Sequence, residues 1–144
     1  MADETQARQL VVFTLGAEQY ALPIQQVHEI IRYTQPRSVA ARESWVRGVI
    51  SLRGRIVPVY DLAARLGVNS ELSEQTKIVI VEAGDETAGV IVDDVEEVMT
   101  VEDGQIEDVP GSDTTLVDSI AKLGERLVVL LKPSTIFSSE YAAA

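Results

Sequence analysis

The sequence contains no cysteine, and its 144 residues include one histidine and one tryptophan. Without cysteine there can be no disulfide, no thiolate zinc or iron–sulfur site and no thiol nucleophile. Any chemistry would have to come from carboxylates, hydroxyls, lysine or His28. Long apolar runs are missing too, since none approaches the roughly 18 residues of a membrane-spanning helix. The N-terminal stretch MADETQARQ lacks the basic region and apolar core of a secretory signal, so a cytoplasmic protein is expected. Positive charge is scarce: 12 Lys and Arg stand against 23 Asp and Glu, for a net charge of −11. That balance disfavours duplex nucleic acid as a partner, because phosphates are bound largely through clustered basic side chains.

What is present is an ordinary globular composition, 46% hydrophobic and 24% charged. A chain of this length is expected to form one domain spanning 1–144, and two small lobes sharing one core are compatible with that. The charge is unevenly placed. Residues 1–65 carry eight basic and six acidic side chains, whereas residues 66–144 carry four basic and seventeen acidic. Arg32, Arg37, Arg42, Arg47, Arg53 and Arg55 accompany a single acid, Glu43, while positions 93–108 hold eight acids and no base. Two readings fit: solvated loops that keep the protein soluble, or two surfaces of opposite sign for protein partners.

Short strands dominate the pattern. QLVVFTL (9–15) and QYAL (19–22) flank Gly16 and read as a hairpin closed by Pro23. Ile24, Val27 and Ile31 fall at helical spacing after that proline, which predicts a short helix over 24–31. WVRGVISL (45–52) and RIVPVY (55–60) flank Arg53-Gly54 as a tight hairpin. Pro58 cannot donate to a ladder, so its strand is expected at an edge or with that position exposed. Asp61 and Gly67 bracket a brief helix over 62–66. KIVIVE (77–82), AGVIV (88–92) and VEEVMTV (95–101) are further strands, and IVIV, apolar on both faces, suits a strand buried between two layers. A last hairpin, 116–123 with 126–131, precedes a short helix from Pro133 to about Ser138 and a frayed tail, 139–144. Nine or ten such strands indicate an all-β barrel or pair of barrels with short helices.

No catalytic constellation emerges, so an enzyme is not expected. His28 has no second His or Cys to complete a metal site or a triad. Asp93 and Asp94, as strand neighbours, point to opposite faces and cannot converge on one bond. The acidic stretch 93–108 does not follow the ligand order of a calcium loop, and glycine-rich phosphate loops are missing. Neither metal nor cofactor is expected.

Four blocks in order, QLVVFTLGAEQYALPIQQVHEII, VRGVISLRGRIVPVYDLAARLG, KIVIVEAGDETAGVIVDDVEEV and LGERLVVLL, resemble the CheW family of bacterial chemotaxis coupling proteins. The resemblance runs from about Gln9 to about Ser138, with the ends beyond expected to be flexible. It implies two intertwined five-stranded SH3-like β-barrels around a shared apolar junction. It also implies a non-catalytic adaptor that joins the cytoplasmic tips of chemoreceptors to the histidine kinase CheA, recruited to membrane-associated receptor arrays without inserting into the membrane. The alternative is a CheW-like scaffold in a different receptor–kinase array, controlling surface motility or gene expression.

By the same resemblance, Val27, Glu29 and Ile30 match the family's helix motif and Leu52, Arg53 and Gly54 its hairpin motif. Glu29 and Arg53 would form a salt bridge near the partner-binding surfaces, with Val27 at the border of the receptor groove. Ser51 stands where the family often has Asn, which changes the hydrogen bonds this turn can offer. His28 and Ile31 fall at variable family positions and could tune partner choice. Val27 could equally be a core residue and Arg53 a solvated turn residue, although arginine's planar fork suits recognition of carboxylates.

Overall fold

Two sheets account for most of the backbone in the computed structural model, which describes residues 7–40, 44–108 and 116–137. The strands are β1 (Ala7–Leu15), β2 (Glu18–Pro23), β3 (Val27–Arg32), β4 (Val46–Leu52), β5 (Arg55–Asp61), β6 (Lys77–Ala83), β7 (Glu86–Val92), β8 (Asp94–Glu102), β9 (Ile106–Glu107), β10 (Val117–Leu123) and β11 (Arg126–Leu131). Two five-residue helices, α1 (Leu62–Leu66) and α2 (Pro133–Phe137), follow β5 and β11. One sheet has the order β8-β1-β2-β11-β10-β9 and the other β3-β6-β7-β5-β4. The all-β expectation holds, with a two-residue sixth strand, β9, added to one sheet.

Both sheets follow one plan. An antiparallel edge strand (β3 or β8) joins a hairpin (β6–β7 or β1–β2), a parallel step follows (β7 to β5, or β2 to β11), and a second hairpin completes the sheet. Each half of the chain therefore runs hairpin, edge strand, hairpin, helix, and each half lends its first hairpin to the other half's sheet. Parallel pairing cannot be made by a tight turn. Here the parallel partners come from opposite halves, so the long connection it requires is the rest of the fold.

The apolar clusters obey the same logic. Leu10, Val12, Ala21, Val101, Ala121, Val128 and Leu130 fill the six-stranded lobe, and Ile50, Val57, Val59, Ile78, Ile80 and Ile91 fill the five-stranded one. Between them Phe13, Leu15, Tyr20 and Leu22 meet Val79, Val81, Ala88, Val90 and Val92 in a shared core. Alternate residues of IVIV thus serve two different cores, all four at 0% exposure.

Two expectations need correction. Residues 24–31 are not a helix: Ile24–Gln26 form a single 3-10 turn and Val27–Arg32 pair with β6 as β3. The β-branched side chains here gain more from the open edge of the β6–β7 hairpin than from an isolated turn of helix. β5 is not an edge strand, lying between β4 and β7. Pro58 is tolerated because β7 pairing starts only at Val59. Arg42, Glu43, Ser138 and the tail expected to fray lie outside the described residues.

Candidate partner-binding site

The expected site residues fall on β3 and on the β4–β5 hairpin, at opposite ends of the strand order in one sheet. β3 is bulged: Val27 pairs with Val81, but Glu29, not His28, pairs with Ile80. Paired residues share a face, so the extra residue re-aims the strand. Val27 and Ile30 accompany Val81 and Val79 toward the shared core, while Glu29 and Ile31 accompany Ile80 and Ile78 toward the five-stranded lobe's interior. Val27 is half-buried against the shared core, whereas Ile30 is 39% exposed. Core residue and groove edge were alternatives for Val27; the packing places it at the core's margin.

The hairpin turns through Arg53 at φ 53° and Gly54 at φ 81°, with Leu52 paired to Arg55. Positive φ at both central positions matches the right-handed twist of the flanking strands. For Arg53 it costs about 1 kcal/mol or more. The strained turn aims the side chain across the lobe, where Arg53 Nη1 donates to Glu29 Oε1 at 3.0 Å. Glu29 is mostly covered and Arg53 largely exposed. This ion pair joins the edge strand β3 to the hairpin of the opposite edge and so closes the lobe. A cleft of about 40 Å³ beside it is lined in part by His28, Leu52 and Thr87. Ser51 is exposed on β4 and Leu52 packs partly against the lobe interior.

The second lobe carries a counterpart. Counting from the hairpin turns, Ile80 of β6 corresponds to Val12 of β1, and their edge partners are Glu29 and Glu97. Glu97 Oε2 accepts from Arg126 Nη2 at 2.5 Å, and Arg126 Nε donates to Gln19 at 2.7 Å. Again an edge-strand glutamate meets an arginine beside a hairpin turn. Aligning LRGRIV (52–57) with LGERLV (123–128) sets Arg126 opposite Arg55, not opposite the Glu29 partner Arg53, so the sequence does not expose this pairing.

The arginine stretch sorts into roles. Arg47 clasps Asp61 Oδ2 through Nε at 3.1 Å and Nη2 at 2.6 Å, and Arg53 holds Glu29. Arg32, Arg37 and Arg55 have no ion pair among the described residues, Arg55 reaching only the Thr87 hydroxyl at 3.4 Å. Asp93 and Asp94 are engaged locally. Asp93 accepts from the Gly16 N–H at 2.7 Å and from the Ser70 hydroxyl, and Asp94 from the Val95 N–H at 2.8 Å. No group of three or more His, Asp or Glu among the described residues could hold a metal ion. No helix among them is long and apolar enough to cross a membrane.

Residues 9–141 match the CheW-like domain family. The chain belongs to the CheW family. The chemotaxis protein CheW of Klebsiella aerogenes is 34% identical over 99% of this chain and 89% of its own length. That of Bacillus subtilis is 32% identical over 91% of this chain and 87% of its own. The crystal structure of the scaffolding protein TtCheW from Thermoanaerobacter tengcongensis superposes with a TM-score of 0.85 at 33% identity, covering 93% of this chain and 95% of that one. The CheW assignment makes the protein a chemotaxis coupling scaffold and its two sheets the pair of SH3-like barrels that the family resemblance implied.

Proposed function

We propose that this CheW-family protein is a non-catalytic adaptor holding the cytoplasmic tips of chemoreceptors beside the histidine kinase CheA. Its partner-facing residues would be Val27, Glu29, Ile30, Ser51, Leu52, Arg53 and Gly54. The observation that carries the reading is the Glu29–Arg53 pair, which spends a strained turn on presenting a largely exposed guanidinium at the lobe's closing edge. Val27 and Ile30 lie on the other face of β3, so one strand offers an apolar margin and a charged one to two different partners. Such an adaptor works by geometry. Binding both partners at once raises the kinase concentration near the receptor, and a receptor rearrangement then biases the kinase between conformations for which the assembly has different affinity. The protein would act in the cytoplasm, recruited to membrane-associated arrays by the receptors.

Calorimetric titration of the purified protein with a receptor-tip fragment, with the CheA regulatory domain and with both together tests this. Each partner is expected to bind alone, and both together in one ternary complex. Arg53→Glu is expected to weaken at least one of them while leaving the melting temperature within a few degrees. Failure of both fragments to bind the wild-type protein would overturn the proposal.

A further inference from the structure

Among the described residues, four cations without an acid partner lie on one lobe. Arg8, Lys122 and Arg126 of the six-stranded lobe each lie within 4 Å of a carboxylate. Arg32, Arg37, Arg55 and Lys77 of the five-stranded lobe have no acid partner among the described residues. Two of them are forced together. Arg32 and Lys77 sit directly opposite in the β3–β6 ladder, a placement that repels and destabilises unless an anion intervenes. Lys77 Nζ reaches only the Gln75 carbonyl, at 2.8 Å. Glu74 lines the same cleft of about 520 Å³ without pairing to either cation. The floor is preorganised: Thr76, 3% exposed, accepts from the Ser73 N–H at 2.8 Å and its carbonyl accepts from the Tyr33 N–H at 3.2 Å. Ile30 shares the face of Arg32, two residues away, and is exposed.

We propose that this end of β3 and β6 docks a carboxylate-bearing segment of a partner protein, with one acid bridging Arg32 and Lys77 and an adjacent apolar side chain covering Ile30. The partner's identity as one of the two coupling partners rests on the adaptor reading; the acidic chemistry does not. Neutralising a repulsive pair and covering an exposed isoleucine are gains available only on binding, which is how such a surface selects an acidic, partly apolar partner.

Titration of the isotope-labelled protein with poly-L-glutamate, followed by amide chemical shifts, tests the surface without any coupling partner. Shifts are expected at residues 30–33 and 74–78 and are expected to vanish in Arg32→Glu/Lys77→Glu. No shifts, or shifts centred on other cations, would overturn the proposal. A second arm measures affinity for the receptor-tip fragment and the CheA regulatory domain as the Debye length falls from about 10 Å at 0.1 M salt to about 3 Å at 1 M. The double variant is expected to lose about tenfold for one partner at low salt, with the gap closing at high salt. Lys122→Glu, which adds negative charge to the other lobe, is expected to change little. Wild-type binding to a partner with equal loss in both variants, or with none, overturns the docking surface and spares the adaptor reading. A concentration-dependent dimer abolished by the double variant would assign the surface to a second copy and overturn it as well.

Discussion

An added Cβ at Gly48 would lie 2.0 Å from the Arg37 carbonyl oxygen, on backbone whose φ is 145°. The missing side chain lets residue 37 bridge to β4 through two hydrogen bonds with Val49, of 2.8 and 2.9 Å. Gly48→Ala must break or displace both, at about 2–3 kcal/mol from two lost bonds plus backbone strain. Denaturant unfolding should show that loss, and hydrogen exchange should show unprotected amides at Arg37 and Val49. If the amides stay protected, the close approach is not rigid. At Glu29 and Arg53 the energetics run the other way. An ion pair with one exposed member is worth about 0–1 kcal/mol, so a double-mutant cycle with Glu29→Ala and Arg53→Ala should show small coupling in stability. Coupling in partner binding should be larger, because the pair fixes where the guanidinium points; additive binding losses would show that the two side chains act separately.

Among the elements, α1 shows how one residue can serve two structures. Asp61 Oδ1 accepts from the Ala64 N–H at 3.1 Å as the N-cap, while Oδ2 takes both Arg47 contacts. Gly67, at φ 76°, ends the helix with a left-handed residue. The helix then holds its neighbours: Arg65 lies 4.3 Å over the Trp45 ring and donates to the Ile136 carbonyl of α2 at 3.1 Å. Asp61→Asn keeps a capping oxygen and loses the charge pairing, whereas Asp61→Ala loses both. Expected costs are under about 1 kcal/mol for Asn and about 1–3 kcal/mol for Ala. Urea unfolding followed by Trp45 fluorescence reads the difference, and equal midpoints for the two variants would mean that the cap contributes nothing.

For the whole molecule, the shared core is where the halves become inseparable, since neither sheet is built from one contiguous stretch of chain. Tyr20 stands in that core, 7% exposed and stacked on Phe13 with ring centroids 6.3 Å apart. Burial, and secondarily the Glu18 charge, raise its pKa above the ordinary value of 10.0. The folded state therefore holds the phenolic proton more tightly than the unfolded chain does. That contribution is complete below the unfolded pKa, near 10, and is lost as pH climbs from there through the folded value. Denaturant midpoints measured from pH 7 to 11 should fall more steeply for the wild type than for Tyr20→Phe. Parallel profiles would mean that Tyr20 does not link stability to alkaline pH.

The local devices were legible in the sequence because each needs only near neighbours. Arg53-Gly54 requires a tight turn, Asp61 and Gly67 cap and stop a single helical turn, and IVIV leaves no polar face for water. The order of blocks carried the family. What misled was the spacing of Ile24, Val27 and Ile31, which a helix would put on one face; in β3 Val27 pairs with Val81 and Ile31 with Ile78, on opposite faces, and only pairing with β6 reveals it. β9, the Arg37 bridge and the Glu97–Arg126 pair were invisible for a related reason, since each joins residues that no local pattern relates. Strand identity, lobe closure and the stranded cation pair Arg32–Lys77 are properties of register between distant segments. Propensity and periodicity determine which segments can be strands; which strand lies beside which, and therefore which charges meet, is settled when the exchanged hairpins bury their two apolar faces against each other.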